Sequence, residues 1–322
     1  MGARIPVATL EPSGRRMPLF GMGTAVYPFA AAEAARTAVV HAIRLGYRHF
    51  DTAALYQSEQ PLGEAIAEAL SQGLVTSRDE LFVTTKLWCS DAHRDLVVPA
   101  LKNSLRNLGL DYVDLYLVHW PVSVKPGNYE LDVKGEDLMT FDMASVWEAM
   151  EQCHHLGLAK AIGVCNFSCK KLESLLETAK IPPAVNQVEM SPLWQQQKLR
   201  KLCAARGIHV TAYSPLGASG MPWGSDQVMG SNVLRKIAEA KGKTVAQVCL
   251  RWVHEQKVSL LVKSFNMKRM EENLDIFDHW ELNAEEHHMI SQIPQSKSFP
   301  APQFCSCDGQ YKSLAELWDG EI

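Results

Sequence analysis

Four side chains, Asp51, Tyr56, Lys86 and His119, stand at or just past the ends of segments that read as short β-strands. A carboxylate, a phenol, an amine and an imidazole at successive strand ends are the groups that reduction of a carbonyl needs. They offer a proton donor, a cation to lower its pKa, a partner for that cation and a polariser of the oxygen. Tyr56 is the expected acid. An ordinary phenol has a pKa of about 10 and donates reluctantly at neutral pH. A nearby Lys86 ammonium favours phenolate, and Asp51 holds that ammonium in place and charged. His119 would bond the substrate oxygen and orient it. Tyrosine cannot supply a hydride, so a nicotinamide cofactor is implied.

The elements that must position these groups alternate along nearly the whole chain. Strands are expected at Leu19–Thr24, His49–Asp51, Leu81–Lys86, Val113–His119, Lys160–Val164, Ala184–Glu189, His209–Tyr213 and Ser259–Val262. Helices are expected at Ala31–Leu45, Ser58–Ala69 with Ser58 as N-cap, and Leu96–Leu108 stopped by Gly109. Others follow at Met143–Leu156, Lys170–Thr178, Gln195–Ala205, Asn232–Ala240, Val245–Glu255 and Lys268 to about Leu274. Eight strands each followed by helix argue for a closed (β/α)8 TIM barrel, a single domain over residues 1–322. A hairpin turning at Ser13-Gly14 would precede it and plug its floor. The rival, an open doubly wound sheet, calls for G-x-G-x-x-G after its first strand. Here Gly21-Met-Gly23 is followed by Val26 where the third glycine should stand, so that fingerprint fails.

Within this frame polar groups recur at the strand mouths. Asn166 follows the fifth strand, Gln187 and Glu189 lie in the sixth, Tyr213 ends the seventh, and Lys263-Ser264 follow the eighth. Singly each has a bland explanation: Asp51 a turn cap, Lys86 a snorkelling chain, His119 a bonded core imidazole, Tyr56 mere packing. Together they converge on one point at the C-terminal face, where barrel active sites sit. Lys263, Ser264 and Arg269 surround the start of the last helix, an anion-binding position. At that mouth they read as a clamp for a 2′-phosphate, implying NADPH over NADH. Three long connections, Pro121 to Asp142, Ser214 to Ser231 and Pro294 to Ile322, exceed what joining needs. The first two carry Tyr129 and Trp223 on the face expected to bind an organic substrate.

Composition sets the remaining bounds. A chain of 322 residues, 47% hydrophobic, buries a large core, and a net charge of −4 gives no reason to expect nucleic acid or an anionic membrane as partner. No stretch has the length of a membrane span. Val7 to Leu10, flanked by Pro6 and Pro12, is too short for a signal peptide, so a cytosolic location and reduced thiols are expected for the eight cysteines. Cys165 and Cys169 are separated by three residues and Cys305 and Cys307 by one, neither a zinc spacing, and the His154–His155 and His287–His288 pairs read as surface residues. No metal is expected. Nothing demands more than a monomer.

At Gly46-Tyr-Arg-His-Phe-Asp51-Thr-Ala, Leu117-Val-His119-Trp-Pro121 and Gly163-Val-Cys-Asn166-Phe the chain resembles the aldo-keto reductase superfamily, along nearly its full length. The resemblance implies Asp51, Tyr56, Lys86 and His119 as the catalytic tetrad. It also implies Asn166 and Gln187 on the nicotinamide carboxamide, Tyr213 stacked on the ring, and Ser214 and Leu216 along the pyrophosphate. Lys263, Ser264 and Arg269 would hold the 2′-phosphate, and Glu272 and Asn273 would lie near the adenine. Gly23, Thr24, Asp51, Cys165 and Phe265 complete the implied cofactor contacts. Cys165 departs from the family, which usually has serine there; a thiol is a weaker donor, so weaker anchoring of the ring is expected.

Val118-His-Trp-Pro-Val-Ser-Val-Lys-Pro-Gly127, Phe141-Asp-Met143, Pro182-Pro-Ala-Val-Asn-Gln187 and the ending Ser313 to Ile322 are most similar to plant reductases of specialised metabolism. Grass enzymes that reduce a keto acid in making an iron chelator look nearest, with alkaloid and chalcone-type ketone reductases further off. A small-molecule carbonyl compound is thus the expected substrate. Tyr27, Trp88, Trp120, Tyr129 and Trp223 are candidate pocket walls, core packing being the rival for each. Two other functions compete: a barrel that binds NADPH as a regulatory subunit, and a phosphate-binding isomerase or aldolase. For the latter Gly217 and Gly220 are too sparse a loop.

Overall fold

The computed structural model describes residues 5–27 and 32–322; Ala31, the expected start of the first helix, lies outside them. Strands β1 (Val7–Leu10) and β2 (Arg15–Pro18) pair antiparallel as the expected hairpin. Gly14 turns the chain there at φ 66°, a conformation open to a residue without Cβ. Leu10 and Met17 pack among Phe82, Leu115, Ala161 and Val185 inside the N-terminal half of the barrel, so the hairpin closes its floor. Full burial of each such side chain contributes about 1.5–3 kcal/mol.

The barrel begins with β3 (Phe20–Gly23), β4 (His49–Asp51), β5 (Phe82–Leu87) and β6 (Val113–Val118). A two-stranded insert, β7 (Ser123–Val124) with β8 (Leu138–Met139), follows β6. Then come β9 (Ala159–Cys165), β10 (Val185–Glu189), β11 (His209–Tyr213) and β12 (Ser259–Val262). The parallel ring closes in the order β10-β11-β12-β3-β4-β5-β6-β9. The expected TIM barrel is thereby borne out. On this ring β6 and β12 are diametrically opposite, four strands apart in either direction. Every residue of β4, β5, β6, β10 and β12 is buried. Side chains fill the inside and helices cover the outside, which is why these strands read as nearly continuous apolar runs.

The outer helices are α1 (Ala32–Arg44), α2 (Glu59–Ser71), α3 (Arg94–Leu108), α4 (Met143–His155), α5 (Cys169–Thr178) and α6 (Gln197–Ala205). They continue with α7 (Gln227–Gly230), α8 (Asn232–Lys241), α9 (Val245–Glu255), α10 (Met267–Leu274), α11 (Ala284–Ser291) and α12 (Leu314–Leu317). Gly109 ends α3 at φ 61°, as expected. Ser58 occupies the N-cap position of α2 without capping it. Its hydroxyl is bonded instead to those of Thr24 and Thr52, at 2.7 and 2.8 Å, behind the strand mouths. The long connections are structured: α7 lies in one and α12 in the tail, and α11, which holds the His287–His288 pair, precedes that tail. The insert after β6 and the tail share a second apolar cluster, in which Trp88, Trp120, Val124, Ala301, Phe304 and Trp318 are buried together. This cluster roofs one side of the barrel's C-terminal face.

Candidate active site

Asp51 ends β4, Lys86 is the penultimate residue of β5, and His119 follows β6 directly. Tyr56 closes a single helical turn, Ala54–Tyr56, after β4. Three neighbouring strands therefore deliver four side chains to one place. Lys86 Nζ donates to Asp51 Oδ1 at 2.5 Å and to the Thr52 carbonyl at 2.9 Å. Its ammonium lies 4.9 Å from the centre of the Tyr56 ring. Tyr56 Oη is 3.2 Å from His119 Nε2. Gln187 Nε2 donates to the second Asp51 oxygen at 2.8 Å, so that carboxylate is saturated from two strands.

Electrostatics follow from burial. Desolvation pushes the Lys86 amine down, but Asp51 above all, together with Tyr56 and Cys165, outweighs it and leaves the ammonium favoured. His119 is held well below its ordinary value by burial and by Lys86, so its imidazole is neutral. The Tyr56 phenol is pushed up to about 12 by burial, against the opposing pull of Lys86. The expected lowering by Lys86 is present but does not set the net direction, because the closed pocket desolvates phenolate more strongly than one ammonium compensates.

Asp51, Tyr56, His119 and Gln187 open on a cavity of about 640 Å³. Gly23, Asp51, Tyr56, His119, Trp120 and Cys165 line one part of it; Asn166, Gln187, Tyr213, Ser214 and Leu216 line the middle. Lys263, Ser264, Phe265, Arg269, Glu272 and Asn273, which follow β12, line the part beyond its C-terminal end. Asn166 adopts φ 64°, a left-handed turn that asparagine tolerates. That turn lets Nδ2 donate to the His119 carbonyl at 3.0 Å and to Cys165 Sγ at 3.2 Å, while Oδ1 accepts from the Tyr213 hydroxyl at 2.8 Å. Asn266 accepts from the Arg269 amide as N-cap of α10 and so sets the start of the basic segment.

Four residues expected at the site do not line the cavity, and a fifth reaches it indirectly. Lys86, its side chain wholly buried, meets Asp51 and the Tyr56 ring without reaching the cavity surface. Thr24 is buried beside Asp51, its hydroxyl donating to the Asp51 carbonyl at 3.0 Å. Trp88 is fully buried; its ring backs His119 edge-on at 5.3 Å and its Nε1 donates to the Asn128 carbonyl at 3.0 Å. Tyr129 is exposed and gives its hydroxyl to the Asp91 carboxylate. Tyr27 stacks edge-on at 6.2 Å against Trp223, which does line the cavity. Sequence reasoning missed Leu55, Leu131, Met221 and Phe299 as walls. Leu55 had a signal, adjacency to Tyr56; Phe299 had only its place in the long connection from Pro294 to Ile322, far along the chain from every strand end.

A closed parallel barrel whose strand ends bring a phenol and a neutral imidazole to one cavity, beside a buried ammonium–carboxylate pair, defines a carbonyl-reducing enzyme. The chain belongs to the aldo/keto reductase family, whose model matches residues 19–295. Deoxymugineic acid synthase 1-B of Triticum aestivum is 63% identical to it over 306 residues, covering 95% of this chain and 97% of that protein. The (1S)-1,7-diacetoxy-luvungin A aldo-keto reductase of Citrus sinensis is 59% identical over 322 residues, covering 100% of both. An aldo-keto reductase of Bombyx mori, solved in complex with NADP, has a TM-score of 0.81 and 38% identity, covering 91% of this chain and 94% of that one. The resemblance to plant reductases is borne out.

Proposed function

We propose that this protein is an NADPH-dependent reductase of a neutral, largely apolar ketone. The observation that carries the chemistry is the contact of Tyr56 with His119 beside the buried Lys86–Asp51 pair. Tyr56 keeps its proton through neutral pH, since burial holds the phenol near 12. A carbonyl oxygen seated between Tyr56 Oη and His119 Nε2 receives a hydrogen bond from each when Nε2 carries the imidazole proton. As Oη gives up its proton, negative charge develops on a ring already facing the Lys86 ammonium. Asp51 and Gln187 keep that ammonium from following the charge.

The cavity fits a phosphorylated dinucleotide at its other end. Lys263 and Arg269 crowd one another there; burial first, and then Arg269, lowers the Lys263 amine, a cost that an anion between them relieves. Lys268 on the same helix is already paired with Glu272 at 3.7 Å. Lys263, Ser264 and Arg269 would hold a 2′-phosphate, Ser214 and Leu216 would flank the pyrophosphate, and Asn166, Gln187 and Tyr213 would hold the nicotinamide. The reduced ring, when bound, supplies the hydride.

The substrate class follows from where the cations are. Among the described residues lining the cavity, Lys263 and Arg269 are the only Lys or Arg, and both belong to the β12 end. At the Tyr56 end the walls are Leu55, Trp120, Leu131 and Phe299, with Met221 and Trp223 nearby. Burying a carboxylate against such walls without a partner is costly. Relatives of similar identity are named for an acid in one case and for a diacetoxy-luvungin in the other; the apolar walls support a substrate of the second kind.

Following NADPH oxidation with matched panels of neutral alicyclic ketones and polycarboxylic keto acids tests both parts. Higher kcat/KM on the neutral panel is expected. Preference for the keto acids overturns the substrate class, and no turnover on either panel overturns the reductase reading.

A further inference from the structure

The sixth barrel strand carries a second buried carboxylate that the reaction does not use. Gln187 and Glu189 alternate along β10 and so share its inner face. Gln187 reaches Asp51, whereas Glu189 reaches the C-terminal tail. Glu189 is 1% exposed. One of its oxygens accepts from the Ser298 amide at 2.7 Å and the other from the Phe299 amide at 3.1 Å. Lys297 Nζ lies 3.8 Å from the second oxygen, its side chain 3% exposed. That ammonium sits 3.8 Å from the ring centre of Trp318 and 5.5 Å from that of Trp194.

Two successive backbone N–H groups in a segment without regular structure need acceptors once buried. A carboxylate provides one oxygen to each, and charge-assisted bonds of this kind are the strong ones. Lys297 balances the charge, and two indole faces replace part of its lost hydration. The preceding residues continue the seam: Ser296 donates its amide to the Leu193 carbonyl at 2.7 Å, and the Gln195 amide donates to Gln295 Oε1 at 2.7 Å. At the far end of the tail, Lys171 donates to the Leu317 carbonyl at 2.7 Å and to Asp319 at 2.6 Å. The tail is thus tied down on both sides of the stretch that faces the cavity. Phe299, held through its own amide, lines that cavity and meets Trp120 edge-on at 5.7 Å.

We propose that Glu189 is a positioning residue: through the Ser298 and Phe299 amides and Lys297 it fixes the tail so that Phe299 forms the wall opposite the reacting carbonyl, and so sets which ketones fit. It rests on assigning the Tyr56 end of the cavity to substrate. Because the anchor acts through the wall and not on the reacting atoms, large substrates feel its loss and small ones do not.

The test uses Glu189→Gln and Lys297→Met in the full chain, with propanal and a fused-ring decalone as substrates. Loss of a charge-assisted anchor is expected to raise KM for the decalone roughly tenfold, with kcat and KM for propanal and Kd for NADPH changed by less than about twofold. Cleavage of the tail by a protease near Lys297 should quicken in parallel. Lys297→Met leaves both amide bonds in place and serves if Glu189→Gln does not fold; a several-fold rise in the decalone KM alone is expected. Equal losses on both substrates, or an unchanged decalone KM, overturn the proposal. Propanal reduction by the parent protein checks the reductase reading separately.

Discussion

Lys86 and Asp51 form an ion pair with both partners buried, Nζ to Oδ1 at 2.5 Å, between neighbouring strands of the barrel. Neither charge would be tolerable there alone. Each makes the other possible, and the pair leaves one ammonium permanently beside a phenol. The ammonium's pull on that phenol, which desolvation outweighs, is thus built into the strand pairing before any substrate arrives.

Breaking the pair should cost both stability and rate. Lys86→Met leaves Asp51 as a lone buried carboxylate, a change expected to destabilise by about 3–5 kcal/mol. Denaturant midpoints measure this. The double variant Lys86→Met with Asp51→Asn should recover much of the stability and none of the turnover. Recovery of turnover would mean that the ammonium plays no part in proton donation.

Tyr56→Phe should remove reduction almost entirely. General acid transfer typically contributes about 10² to 10⁴ in rate, and phenylalanine keeps the ring packing beside His119. NADPH binding, read by fluorescence titration, should be unchanged. Turnover at the parent rate would assign the proton donor elsewhere.

Replacing Lys263 and Arg269 by alanine should erase discrimination between NADPH and NADH. Charge-assisted hydrogen bonds are worth about 1.5–3 kcal/mol each, so NADPH affinity should fall by well over roughly tenfold while NADH affinity moves little. Equal losses for the two cofactors would place the 2′-phosphate away from α10.

Acid should loosen the barrel through His209. Its Nε2 accepts from the Ser259 amide at 3.0 Å, so the ring must stay neutral to keep that bond. Burial, and then the neighbouring His49, lowers its pKa from 6.5 to about 4. The unfolded chain therefore takes up a proton that the folded one refuses between those values. The stability from this group is complete above pH about 6.5 and drains away as pH falls toward 4, by up to about 3 kcal/mol. Urea denaturation at pH 7 and pH 4.5 should show that loss, and His209→Gln should flatten it. An identical pH slope in the variant would assign the acid sensitivity to other groups.

Much of this molecule was legible in its residues. The alternation of β-branched runs with amphipathic stretches specified the barrel, since each strand had to be covered on both faces and each helix on one. Asp51, Tyr56, Lys86 and His119 stood out because charged and polar side chains ended otherwise apolar strands, and barrel closure brings strand ends together. One signal was passed over: Asn283 and Glu286 form a reciprocal capping box at the start of α11, a pattern recognisable at that spacing.

What only the tertiary structure decided depends on side chains meeting across long stretches of chain. Trp88 and Tyr129 resembled pocket walls, yet one is driven behind His119 by burial and the other is drawn outward by Asp91. Phe299 became a wall because Glu189, 110 residues earlier, captures its amide. The net rise of the Tyr56 phenol depends on how closely the roof excludes water. Local order follows from short-range periodicity and capping, which a sequence displays. Desolvation and long-range contact arise only when the chain has closed on itself.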